Sequence, residues 1–185
     1  MKDDFKNIVS TDWLEQHLEA PDIRIIDSSW YFPQEKRNAE QEFLECHIPG
    51  ASFFDIDKIK DNDSDLPHML PPSEMFNSTV RKLGIGDGHK VVIYDGLGMR
   101  SAARLWWMFK VFGYSDVVVL DGGFPKWVKE NRSTTADLTE KEIRQLTIYE
   151  DKSIVADRDD VLRATKLNHC SIIDARSEGR FMGTA

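Results

Sequence analysis

Val91-Val92-Ile93-Tyr94-Asp95-Gly96-Leu97-Gly98-Met99-Arg100-Ser101 passes from four β-favouring residues through a glycine-containing turn. It leads into Ala102, Leu105, Trp106, Phe109 and Phe112, which recur at helical spacing. The segment predicts a buried strand, a tight turn and a core helix, with Gly113 where a left-handed helix stop belongs. In such a turn backbone N–H groups and the positive end of the helix point inward, making a cradle for an anion or a thiolate. The residues alone leave phosphate, a thiolate and a purely structural turn open.

On either side of this unit, Ile23–Ile26, Ala51–Phe54 and Val117–Leu120 read as three more strands. Helical patterns lie between them. Ser10 or Thr11 is placed to cap a helix carrying Trp13, Leu14 and Leu18, and Ser73 one whose Phe76, Val80 and Leu83 share a face. Alternation of this kind predicts an α/β domain, a parallel sheet flanked by helices, over residues 1–130. From 131 to 151 the chain turns polar and reads as a linker, apart from a weak Leu138/Ile143/Leu146 pattern. Over 152–185 a partial second copy begins: Val155-Ala156-Asp157 followed by Ile172-Ile173-Asp174 repeats Val9-Ser10-Thr11 followed by Ile25-Ile26-Asp27. The intervals agree, 18 positions from Val9 to Asp27 and 19 from Val155 to Asp174. The second copy is expected to be truncated, because one helix and one strand leave an apolar face uncovered.

Composition narrows the functional class. The 185 residues are 41% hydrophobic and 30% charged, the balance of a chain able to bury a core. A net charge of −8 with no Lys/Arg stripe argues against nucleic acid as a partner. No apolar run approaches the ~18 residues needed to span a bilayer, and the first residues lack a signal or transit pattern, so a cytoplasmic location and no membrane partner are expected. The five histidines form no short ligand pattern with Asp or Glu, so neither a metal nor a cofactor is expected. Cys46 and Cys170 are too few for a disulfide framework.

Three ordered segments carry a resemblance: His47-Ile48-Pro49-Gly50-Ala51, Tyr94-Asp95 through Arg100-Ser101, and Leu120-Asp121-Gly122-Gly123-Phe124 with Trp127. They resemble the marker segments of the rhodanese family, in order and at family spacing. Asp27-Ser28-Ser29-Trp30-Tyr31, Phe53-Phe54-Asp55-Ile56-Asp57, His68-Met69-Leu70-Pro71, Trp106-Trp107-Met108-Phe109 and Asp174-Ala175-Arg176 with Gly179-Arg180-Phe181 are similar to the two-domain mercaptopyruvate and thiosulfate sulfurtransferases. The resemblance implies sulfur transfer through a cysteine persulfide, from a small anionic donor to a thiol or cyanide acceptor. Where catalytic domains of that family have the cysteine, this chain has Asp95, so the first domain resembles the non-catalytic half. The resemblance implies further that the working cysteine lies downstream of Ala185, that Arg180 pairs with the donor's carboxylate or sulfonate, and that Asp57 and His68 line the cleft, steering protons or orienting the site.

Two other readings stand beside this one. Cys46 precedes a turn with no helix N-terminus to activate it, and is expected to be inert. His169-Cys170 through Arg176 fits the His-Cys-x5-Arg spacing of the cysteine phosphatases, but Ile172-Ile173 are β-branched where a phosphate loop needs small residues. The repeat places Cys170 on a buried strand instead. A non-enzymatic binding or regulatory module is the alternative from another functional class.

Overall fold

The computed structural model describes residues 7–167 and 170–184 and divides into two compact units, the first ending at Glu150 and the second beginning at Asp151. The first unit holds five strands: β1 (Ile8–Val9), β2 (Ile23–Asp27), β3 (Ser52–Phe53), β4 (Lys90–Tyr94) and β5 (Val117–Leu120). They form one parallel sheet in the order β1-β5-β4-β2-β3, with Ile26 opposite Ile93 and Asp27 opposite Tyr94. The long apolar runs of β2, β4 and β5 follow from this arrangement, because helices cover both faces. Val91, Ile93, Ile26, Val117 and Val119 pack on one side with α3 (Ser73–Lys82) and α4 (Ala102–Val111). Val92, Tyr94, Ile25, Val118 and Leu120 pack on the other with α1 (Thr11–Gln16), α2 (Ala39–Glu45) and α5 (Gly123–Lys129).

The parallel sheet flanked by helices is the architecture expected, and Ser10 caps α1 by accepting the Trp13 amide at 3.1 Å. Gly113 takes the left-handed conformation, φ 77°, after α4. Ser73 is not a cap: it is the first residue of α3, and the preceding Pro72 occupies the cap position, fixing the chain's entry without a side-chain bond.

Residues 136–151 carry neither helix nor strand, yet they do not behave as a free linker. Thr135 pairs with His47 through reciprocal backbone bonds of 2.9 and 3.0 Å, and Leu146 is buried in the α3/α4 core. The Tyr149 amide donates to the Phe112 carbonyl at 3.1 Å. The first unit therefore extends about twenty residues past the expected boundary at 130.

The second unit contains α6 (Arg158–Leu167) and α7 (Glu178–Met182). The strand expected at Ile172-Ile173-Asp174 is not formed, and Ile173 is 88% exposed. A strand needs a neighbour to take its backbone hydrogen bonds, and the described residues of this unit supply none.

Candidate functional site

The side chains of interest in the first unit gather beyond the carboxyl ends of β2, β3 and β4, where open parallel sheets place their ligand crevices. At the end of β4 the turn does form a cradle of backbone amides, and the Asp95 side chain occupies it. Asp95 Oδ1 accepts the amides of Leu97 (2.8 Å) and Met99 (3.1 Å), and Oδ2 accepts that of Ala102 (2.8 Å), the first residue of α4. Gly98 and Met99 adopt positive φ, 81° and 84°, which turns these amides toward one point. Asp95 is buried, 1% exposed. Ser101, at the cap position of α4, makes no side-chain capping bond, so the carboxylate does the capping.

A second buried carboxylate stands at the end of β2. Asp27 accepts the Ser29 amide at 2.8 Å and the Ser29 hydroxyl, and that hydroxyl oxygen in turn accepts the Gly96 amide at 2.8 Å. Burial pushes the Asp27 carboxyl up to about 6, against the opposing pull of the Ser29 bonds. The chain Asp27–Ser29–Gly96 ties β2 to the loop that Asp95 organises.

Asp57 and His68 come together outside the sheet. His68 Nε2 lies 2.6 Å from Asp57 Oδ1, and the Trp30 indole N–H donates to the same carboxylate at 3.2 and 3.3 Å. The Trp30 and His68 rings meet edge to face with centroids 5.1 Å apart. The Asp57 side chain is 61% exposed and that of His68 25%. His68 adopts φ 55°, a left-handed conformation costing roughly 1–2 kcal/mol for a residue with a Cβ. Asp57 also lines a cleft of about 270 Å³ with Ser29, Trp30, Tyr31, Arg37 and Phe53.

Two residues of this neighbourhood were not singled out by the sequence. Arg100 donates to the Trp30 carbonyl at 3.0 Å and pairs with Glu35 at 2.8 Å, and Arg104 donates to the His68 carbonyl at 2.6 Å. No local pattern in the sequence links them to these carbonyls, since Arg100 precedes α4 and Arg104 lies in its first turn.

The remaining residues lie elsewhere. Cys46 caps the C-terminus of α2, where carbonyls rather than amides surround it. Cys170 is exposed and not on a strand, contrary to expectation, for the reason given for Ile172-Ile173. His169 of the phosphatase-like pattern falls outside the described residues. Arg176 is committed to Asp174, at 2.6 Å. Arg180 is an exposed residue of α7 in the second unit. Among the described residues no helix is long and apolar enough to cross a membrane.

Comparison with known proteins agrees with this geometry. A family model described as "Rhodanese-like domain" matches residues 10–130. "Thiosulfate/3-mercaptopyruvate sulfurtransferase 1, mitochondrial" of Arabidopsis thaliana is 42% identical, over 96% of this chain and 52% of its own length. The "3-mercaptopyruvate sulfurtransferase" of Rattus norvegicus is 39% identical over 97% of this chain and 63% of its own. The chain thus spans between about half and two thirds of these relatives. Among solved structures, the 3-mercaptopyruvate sulfotransferase SseA of Escherichia coli superposes with a TM-score of 0.88 at 39% identity, covering 94% of this chain and 67% of that one.

Proposed function

The chain belongs to the rhodanese family, and on that premise we propose that it is part of a sulfurtransferase. The reaction moves sulfane sulfur from 3-mercaptopyruvate or thiosulfate, through a cysteine persulfide, to a thiol or cyanide acceptor. The observation that carries this reading is the similarity to relatives named for both donors over nearly the whole chain.

In this reading the first unit is the supporting half. A carboxylate cannot carry a persulfide, and the Asp95 side chain already satisfies the amides that would hold a thiolate or a donor anion. Cys46 ends α2 and Cys170 is exposed outside any helix or strand, which supports assigning the persulfide to neither. The Asp57–His68 pair lines the cleft and steers a proton or orients the site. Arg180 pairs with the donor's carboxylate or sulfonate, a task suited to a planar fork of N–H donors.

The test is sulfide release from 3-mercaptopyruvate in the presence of a reducing thiol. It compares this chain, its Cys46→Ser and Cys170→Ser variants, and a form extended to the length of its relatives. Release by the extended form alone, indifferent to both substitutions, is expected. Release by the 185-residue chain that disappears in either variant would move the nucleophile into this chain. No release by any form would favour a non-enzymatic binding module.

A further inference from the structure

Two arginines, Arg100 just before α4 and Arg104 in its first turn, reach the pair formed by Asp57 and His68. Arg100 donates to the Trp30 carbonyl at 3.0 Å and Arg104 to the His68 carbonyl at 2.6 Å. Trp30 and His68 are the residues whose rings contact the Asp57 carboxylate. We propose that Arg104 is a positioning residue, holding the His68 backbone so that its ring meets Asp57, with α4 as the rigid support. The inference rests on the role given above to Asp57 and His68.

Three observations set Arg104 apart from an ordinary surface arginine. Its Nε is buried without a hydrogen-bond partner, and its guanidinium lies over the Trp107 ring at 4.7 Å. Among the described residues no carboxylate pairs with it, and burial lowers its pKa. A half-buried cation with no counter-charge among the described residues is an expense that calls for an explanation, and it donates to the His68 carbonyl. Finally, His68 sits at φ 55°, and a non-glycine residue keeps such a conformation only where its surroundings hold it. The loop carrying it is fastened by the Asp61 amide to the Met69 carbonyl at 3.1 Å and by Arg104. The other charged groups tied to the pair are Asp55, which accepts the Asp57 amide at 2.9 Å, and the Arg100–Glu35 ion pair.

Carbethoxylation by diethyl pyrocarbonate, read residue by residue by mass spectrometry on the 185-residue chain, tests this without recourse to activity. The reagent attacks an imidazole nitrogen, and His68 Nε2 is engaged by Asp57. Asp57→Asn should raise the His68 modification rate severalfold. Arg104→Gln should raise it to the same level, Asp57→Asn should add nothing further in that background, and Arg104→Lys should restore protection. His47, fully buried, is the internal control for folding. If Arg104→Gln also uncovers His47, Arg104→Met, which keeps the stem over Trp107, takes its place. Unchanged His68 protection in the Arg104 variants, with Asp57→Asn still effective, overturns the positioning role alone. No effect of Asp57→Asn overturns the Asp57–His68 pair and the inference with it.

Discussion

The Asp95 carboxylate caps the helix that follows it, Oδ2 taking the Ala102 amide at 2.8 Å while Oδ1 takes those of Leu97 and Met99. The Asp95 side chain thus serves its own loop. Asp95→Ala leaves three amides without their acceptor in a buried site, and a lost cap together with unpaired donors costs about 3 kcal/mol. Urea denaturation should show the midpoint falling with an unchanged slope. An unfolding free energy within about 0.5 kcal/mol of the parent would mean that the amides find other partners.

The same loop leaves no room beside α5. Gly123 has φ 54°, and a Cβ built on it would stand 2.5 Å from the Asp95 carbonyl oxygen. Gly123→Ala therefore combines a left-handed alanine with a backbone clash, together about 3 kcal/mol. Gly88→Ala is the matched comparison, since Gly88 has φ 86° with nothing within 4 Å of a Cβ. It should cost only the conformational part, about 1–2 kcal/mol. Equal losses of thermal stability in the two variants would contradict the close approach at Gly123.

Asp27 predicts a pH dependence of a definite sign. Burial raises its folded pKa to about 6, whereas an aspartate in the unfolded chain titrates near 3.9. Between these values the folded state binds more protons, so this group's contribution is fully present below about pH 4 and is lost as pH rises through 6. Asp27→Asn removes the titration. Relative to the parent, the variant should gain on the order of 2–3 kcal/mol between pH 4 and pH 7.5. Parallel stability curves for the two proteins across that range would place the Asp27 carboxyl at an ordinary pKa.

How far the residues announced this structure depends on the range of the interaction. β4 and β5 were legible because burial on both faces leaves an uninterrupted apolar run, and Asp95 because a strand-turn-helix unit is local. β1 is two residues long and carries no periodicity of its own. Arg100 and Arg104 act on carbonyls 70 and 36 positions earlier in the chain, a distance over which no local pattern reports. Ile172-Ile173 failed as a strand for a related reason: strand propensity describes a fit to a sheet, and the described residues of the second unit offer none.

The segment past residue 130 gives the last prediction, because its polar composition conceals a few fixed anchors. Gln145 accepts the Asp87 amide at 2.9 Å, and Thr147 returns its own amide and hydroxyl to the Asp87 carboxylate, each at 2.9 Å. Between them Leu146 enters the α3/α4 core, 3% exposed, whereas Leu138 and Ile143 are 63% and 65% exposed. The three residues that looked alike as a weak apolar pattern should separate on substitution. Leu146→Ala opens a cavity beneath α3 and should cost about 2–4 kcal/mol, while Leu138→Ala and Ile143→Ala should stay within about 0.5 kcal/mol of the parent. Chemical denaturation of the three variants decides between a strap that belongs to the first unit and a spacer between units. If Leu146→Ala proves as mild as the other two, the packing of Leu146 contributes nothing to the fold and the boundary returns to residue 130.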